Sequence, residues 1–120
     1  MFQLYGRDPD FEALITVPPL AQSPRRTPPG NGIRWDFAYV ETAGHDCIYC
    51  IHPYFLSASR EPLEYGVPLE GEYHAFMYIL FEEMMDFHRG FISVGTQFEC
   101  REASKSCAFG QVTRLIGLAS

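Results

Sequence analysis

Period-two spacing of apolar residues is the dominant pattern along this chain, and it predicts strands. In Phe11–Pro18 (FEALITVP), Ala13, Ile15 and Val17 alternate with Leu14 and Thr16, and Pro18-Pro19 stops further pairing. In Ile33–Val40 (IRWDFAYV), Ile33, Trp35, Phe37 and Tyr39 fall on one face. A third strand is expected over Asp46–His52, and a short one over Phe91–Val94. Gly71–Met85 reads two ways. It alternates weakly, as a strand over Glu72–Phe81, yet it holds the helix formers Ala75, Met77, Leu80, Glu82 and Met84. The strand reading is taken, with room for one short helix.

The plainest signal lies near the end. Thr96–Glu102 and Ser106–Leu118 flank the polar turn Ala103-Ser104-Lys105, an expected β-hairpin with Gly110 as a bulge or close-approach point. Residues 18–32 (PPLAQSPRRTPPGNG) hold five Pro and two Gly, which neither a helix nor a central strand tolerates, so a long Pro-rich loop is expected. Residues 53–71 read as turns. Residues 1–10 are polar and expected to be loose, which leaves 11–118 as one all-β domain.

Composition sharpens this picture. In 120 residues, seven Tyr and ten Phe favour strands, and ten Gly with nine Pro favour many turns. The formal charge is −6, with nine basic residues of which Lys105 is the one Lys. Nucleic-acid binders present a basic face to phosphate, so this balance weighs against bulk RNA or DNA binding. The N-terminus has no basic segment followed by an apolar run, and the longest apolar stretch, Ala75–Phe81, is too short to span a bilayer as a helix. A cytoplasmic protein without a membrane partner is expected, and its four Cys are then expected to be reduced thiols.

Two segments carry a family likeness. GTQFECREASKSCAFGQVTRLI, Gly95–Ile116, resembles the pattern G-x-x-F-x-x-R-E-G-G-R-T-V-G-x-G-x-V-T at Gly95, Phe98, Arg101, Glu102, Gly110, Val112 and Thr113. RRTPPGNGIRWDF, Arg25–Phe37, resembles R-H-T-P-F-F-N-G-Y-R-P-Q-F at Arg25, Thr27, Pro28, Asn31, Gly32, Arg34 and Phe37. GVPLEGEY, Gly66–Tyr73, is a weaker echo of a turn before a long strand. Both longer patterns belong to the C-terminal β-barrel domain of translation elongation factor Tu. The resemblance implies a six-stranded closed antiparallel barrel. It departs at Ala103-Ser104, where the family writes Gly-Gly, at Lys105 for Arg, and at Asp36 for Gln. In the family these loops lie near the T-stem of aminoacyl-tRNA, where the carboxylate of Asp36 would repel phosphate. No G-x-x-x-x-G-K-[ST] loop is present, so no GTPase activity is expected.

The chemistry-bearing residues are few. Arg25, Arg26 and Arg34 form the only basic cluster. With Thr27, Asn31, Glu102 and Lys105 they are the candidate partner-binding set, the alternative being that Arg25 and Arg34 tie the loop to Asp36 or Glu41. Cys47-x-x-Cys50 with His45 and His52 is a weak zinc candidate, since residues three apart in a strand point to opposite faces. Cys100 and Cys107 are expected to face each other across the hairpin. Glu82, Glu83, Asp86 and His88 form an acidic run that reads as a solvated turn. No catalytic residues and no cofactor are assigned. The leading expectation is a non-enzymatic binding module for a protein partner, with homo-oligomerisation open. A translation-associated factor with weak tRNA or ribosome binding is the first alternative, and a zinc-binding or metal-dependent protein the second.

Overall fold

Alternation along β1 (Phe11–Val17) builds the centre of the molecule: Phe11, Ala13, Ile15 and Val17 are each 0–1% exposed. A computed structural model describes residues 3–42 and 47–119. The other strands are β2 (Asp36–Tyr39), β3 (Ile51–Phe55), β4 (Gly71–Ile79), β5 (Gln97–Glu102) and β6 (Lys105–Leu115). All neighbours pair antiparallel, in the order β2-β5-β6-β1-β4-β3, and the sheet curls into a half-barrel. Its concave face holds Phe37, Tyr39, Phe55, Met77 and Phe98 together with the β1 side chains. One short helix, α1 (Met85–Phe91), follows a 3-10 turn at Glu82–Met84. Among the described residues no helix is long and apolar enough to cross a membrane.

Among the described residues, β2 and the segment just ahead of β3, the outermost strands of the ladder, meet at one isolated bridge. There Phe37 N–H donates to the Tyr49 carbonyl (2.9 Å) and Tyr49 N–H to the Phe37 carbonyl (2.7 Å). The half-barrel thus approaches its far edge without a continuous ladder, and further along the same seam the Asn31 side chain accepts from Phe55 N–H (2.9 Å).

Several elements differ from expectation. The strand expected over Ile33–Val40 is regular only over Asp36–Tyr39. The strand expected over Asp46–His52 lies further on, at Ile51–Phe55, and includes Pro53. Asp46 is outside the described residues. Pro53 is tolerated for a geometric reason. The Cys50 carbonyl accepts from Leu80 N–H (3.0 Å), while Tyr49 and Phe55 turn their backbone groups away from β4, to Phe37 and to Asn31 and Leu63. Residue 53 shares the parity of 49 and 55, so its missing N–H costs no ladder bond.

The doubly readable segment becomes β4 as far as Ile79 and then turns helical. Ala75, Met77 and Ile79 face the main core, while Phe76 and Tyr78 are buried on the other side with Leu56, against Leu4 and Ile116. Burial on both faces removes the alternation that would have marked a strand. The short strand expected over Phe91–Val94 is absent, because Phe91 ends α1. There it stacks with Phe87 (5.9 Å between centroids) and packs on Tyr39 (4.4 Å). The hairpin turn has two residues and not three, since Glu102 pairs with Lys105. A register shift after Cys100 makes Cys107 the extra residue, so Cys100 opposes Ala108.

Leu4, Arg7 and Asp10, within the segment expected to be loose, are anchored. Leu4 N–H donates to the Tyr78 hydroxyl (2.9 Å), and Arg7 donates to Asp10 and to the Ile79 carbonyl. Asp10 is 1% exposed; its other carboxylate oxygen accepts from Ile79 N–H (2.7 Å), and its carbonyl accepts from Ile116 and Leu118. One buried acid joins the N-terminal segment, β4 and the C-terminal turn.

Candidate functional site

The residues singled out in the sequence divide between structural ties and one open cleft. Arg25 forms an ion pair with Glu102 and donates to the Thr27 carbonyl (3.0 Å). Glu102 also accepts from the Trp35 indole N–H (2.7 Å). Burial would raise the Glu102 carboxyl, but the hydrogen bonds from Trp35 and Arg25 and the Arg25 charge prevail and hold it below the ordinary value. Arg25 therefore ties its loop to β5, although the partner is Glu102 and not Asp36 or Glu41.

Asn31 is 1% exposed and leaves the candidate binding set. Its side chain accepts from Phe55 N–H (2.9 Å) and donates to the Leu63 carbonyl (2.8 Å), closing two loops on β3. Arg26, Thr27 and Lys105 are exposed, Lys105 at the hairpin turn. Arg34 is exposed and lines a cleft.

That cleft, of about 620 Å³, opens where β2 and β3 diverge from the Phe37–Tyr49 bridge. Arg34, Trp35 and Asp36 line one side, Cys50, Ile51 and His52 the other. Tyr5, Arg7 and the end of β4 with Leu80 and Phe81 complete it. The walls are apolar and aromatic, and the polar groups are few, which is the usual make-up of a binding cleft. His52 is 5% exposed and its Nδ1 lies 2.6 Å from the Tyr5 hydroxyl. A phenol is the better donor and an imidazole nitrogen the better acceptor, so Tyr5 donates and Nε2 carries the ring proton. Nε2 is closed to solvent and, among the described residues, makes no well-formed hydrogen bond, the Gly32 carbonyl being its backbone acceptor. Burial and then the Arg34 charge push the His52 pKa down, with the Gly32 carbonyl pulling the other way. At neutral pH this is a neutral N–H donor beside a guanidinium.

Six of the eight Arg side chains are ion-paired: Arg7, Arg25, Arg60, Arg89, Arg101 and Arg114. Arg34 has no ion-pair partner among the described residues. In a chain of formal charge −6, an unpaired guanidinium at a cleft mouth is a distinctive feature.

A second cleft of about 240 Å³ adjoins the first, sharing Cys50, Ile79 and Phe81. Ile48, Tyr49 and Met84 line it, and His88 stands at its wall. His88 is 1% exposed, with Nδ1 2.6 Å from the Tyr39 hydroxyl and Nε2 without a hydrogen-bond partner among the described residues. Burial lowers its pKa to about 4 and raises that of Tyr39. Around the two clefts stand the exposed side chains of Tyr5, Ile48, Phe81 and Phe87, each 43–51% exposed; Phe87 packs on Tyr49 at 5.4 Å. Sequence reasoning missed this patch and both His–Tyr pairs, since their members lie 47 and 49 residues apart.

The zinc candidates are not gathered. Cys47 and Cys50 are exposed free thiols ahead of β3, His52 is bound to Tyr5, and His45 lies outside the described residues. Among the described residues no three His, Cys, Asp or Glu side chains are placed to hold a metal ion. Cys100 and Cys107 are free and buried; burial raises both thiols, Cys100 further. Glu82 and Glu83 are exposed at the 3-10 turn, and Asp86 pairs with Arg89 (2.7 Å). Comparison with known protein families finds no match. Comparison with curated proteins finds no match either.

Proposed function

We propose that this chain is a non-enzymatic binding module that holds an extended protein segment at the paired clefts. In this reading the half-barrel is a closed barrel of the elongation factor Tu C-terminal type, sealed by the Phe37–Tyr49 bridge. The two matched segments and the six antiparallel strands support that likeness.

One observation carries the functional reading. Four large apolar side chains, Tyr5, Ile48, Phe81 and Phe87, stand exposed around two adjoining clefts. Scattered exposed apolar residues need no explanation, but a contiguous set rimmed by charge marks a binding surface. The Pro/Arg loop contributes Arg34 to this surface, and Arg25 fixes the loop from behind. The translation-associated reading is weaker here, because the Arg25 charge is spent on Glu102.

The test is selection of displayed peptides on the immobilised protein, with Phe81→Ser as the counter-target. Phe81 is 51% exposed, so the variant leaves the core intact. Sequences enriched on the native chain should carry apolar anchors and lose binding to F81S. Enrichment that is equal on both, or absent, counts against the module. A mass in solution that rises with concentration and reverts in F81S would make a second copy of this chain the occupant.

A further inference from the structure

We infer that the paired clefts take a basic, amphipathic segment of a partner protein. Its apolar side chains enter the clefts while neighbouring Lys or Arg side chains lie over Glu82 and Glu83. This rests on the binding-module reading and names the chemistry of the partner that module holds.

The place of the carboxylates is the first argument. Glu82 and Glu83 follow Phe81 directly, and Asp86 precedes Phe87. Chain adjacency therefore fixes three carboxylates next to two of the four exposed apolar side chains, and all three are themselves exposed. A third cleft, of about 720 Å³, is lined by Glu82, Glu83, Asp86 and Arg89. It shares Arg7, Ile79 and Leu80 with the larger apolar cleft. The apolar clefts and the acidic one are thus continuous along the end of β4. A ligand seated on Phe81 has carboxylates at its flank.

The pairing of charges supplies the second argument. Arg7 is committed to Asp10 and to the Ile79 carbonyl, and Arg89 to Asp86. Among the described residues Glu82 and Glu83 form no ion pair. Two uncompensated carboxylates beside an apolar patch are complementary to a ligand that carries cations next to its apolar anchors. Acid ahead of α1 also favours the helix end, a role that shows in stability and not in the choice of ligand.

The same charges turn other partners away. A nucleic acid or an anionic bilayer would meet these carboxylates, and a chain of formal charge −6, as repulsion. Arg34 lines the larger cleft beside Asp36 and takes no part in the acidic one. Basic side chains of the ligand are therefore directed to Glu82 and Glu83 and away from Arg34.

The probes are four pools of short dye-labelled peptides, read by fluorescence anisotropy. Three share the apolar residues Phe, Leu, Ile and Met and differ in the polar ones: Lys and Arg, Ser and Gln, or Asp and Glu. The fourth carries Lys and Arg, with Ser in place of every apolar residue. The basic amphipathic pool is expected to bind about tenfold tighter than the acidic one, with the Ser/Gln pool between them. Glu82→Gln with Glu83→Gln should bring the basic pool down to the Ser/Gln pool, a loss of about three- to tenfold. Glu82→Lys with Glu83→Lys should move the preference to the acidic pool. Both residues are exposed, so neither pair disturbs the core, and circular dichroism verifies the fold. A basic preference unchanged by either pair overturns the assignment. Equal capture of the fourth pool also overturns it, by reducing the site to general attraction. If the three amphipathic pools bind alike and F81S weakens them all, the module stands and the basic-partner reading alone falls. No binding by any pool removes both.

Discussion

At the scale of single residues, Gly110 and Asn31 show two ways in which a position is constrained. Gly110 opposes Phe98 on β5 and Ile15 on β1, and a Cβ built there would lie 2.3 Å from Phe98 Cζ. Phe98 cannot withdraw, because it is 0% exposed and stacked on Phe37 at 4.5 Å. Gly110→Ala is therefore expected to destabilise the fold by about 2–3 kcal/mol, the cost of overpacking a dense core. Urea unfolding measures it, and a loss below ~0.5 kcal/mol would contradict the packing described. The sequence already pointed to Gly110 as a close-approach point, since an isolated Gly inside an alternating strand has few other uses. Asn31 was not legible in this way. Its partners are 24 to 33 residues downstream, so nothing local distinguishes a buried clasp from an exposed polar contact. Asn31→Ala should cost about 2–3 kcal/mol, because the Phe55 N–H and the Leu63 carbonyl both lose a partner. A surface role for Asn31 would leave stability unchanged in the same unfolding measurement.

At the scale of elements, legibility follows how many faces are buried. β1, flanked on both sides within the sheet and packed inward on one face, alternates and is found within one residue of its expected end. The C-terminal hairpin is found because its turn is polar and its strands are long. β3 is displaced because Cys47–Cys50 is apolar without being strand, and because Pro53 reads as a stop although its N–H would face away from β4. The hairpin turn also carries a removable cost. Ala103 has φ +55°, a conformation that a side chain resists and glycine adopts freely. Ala103→Gly should raise stability by about 0.5–1 kcal/mol, a few degrees in the melting temperature for a chain of this size. The gain should appear mostly in the unfolding rate if the hairpin forms late, and in the folding rate if it nucleates the fold. No gain, or a loss, would mean that the turn relaxes around Ala103 in solution.

At the scale of the whole molecule, the sheet is held to its own far edge by few groups, and one of them depends on pH. Tyr39 on β2 and His88 on α1 meet at 2.6 Å beneath the Phe87 and Phe91 rings, so this pair joins the β2 end of the sheet to the helix that follows β4. Nothing in the sequence announces it: His88 sits in an acidic run that reads as a solvated turn, and the helix turns it inward. In the folded chain the His88 pKa is lowered to about 4 by burial, against 6.5 in the unfolded chain. Between those values the unfolded state binds the proton and the folded state does not, so stability falls as pH drops. His88 thus contributes fully above pH 6.5, progressively less toward pH 4, and nothing more is lost below that. The accumulated loss is about 2–3 kcal/mol, a large share of the stability of a domain this size. His52 adds to it in the same direction, since its pKa is also lowered. Unfolding free energies measured from pH 7.5 to 4 should therefore fall steeply below about pH 6.5. His88→Gln, which keeps a side-chain hydrogen-bonding group for Tyr39 but binds no proton, should flatten most of that slope. The joint between β2 and α1 would be expected to open first in acid, and amide exchange in β2 should rise ahead of exchange in β1. A slope unchanged by His88→Gln would assign the acid sensitivity to the carboxylates, and would separate it from the place where the half-barrel meets its own far edge.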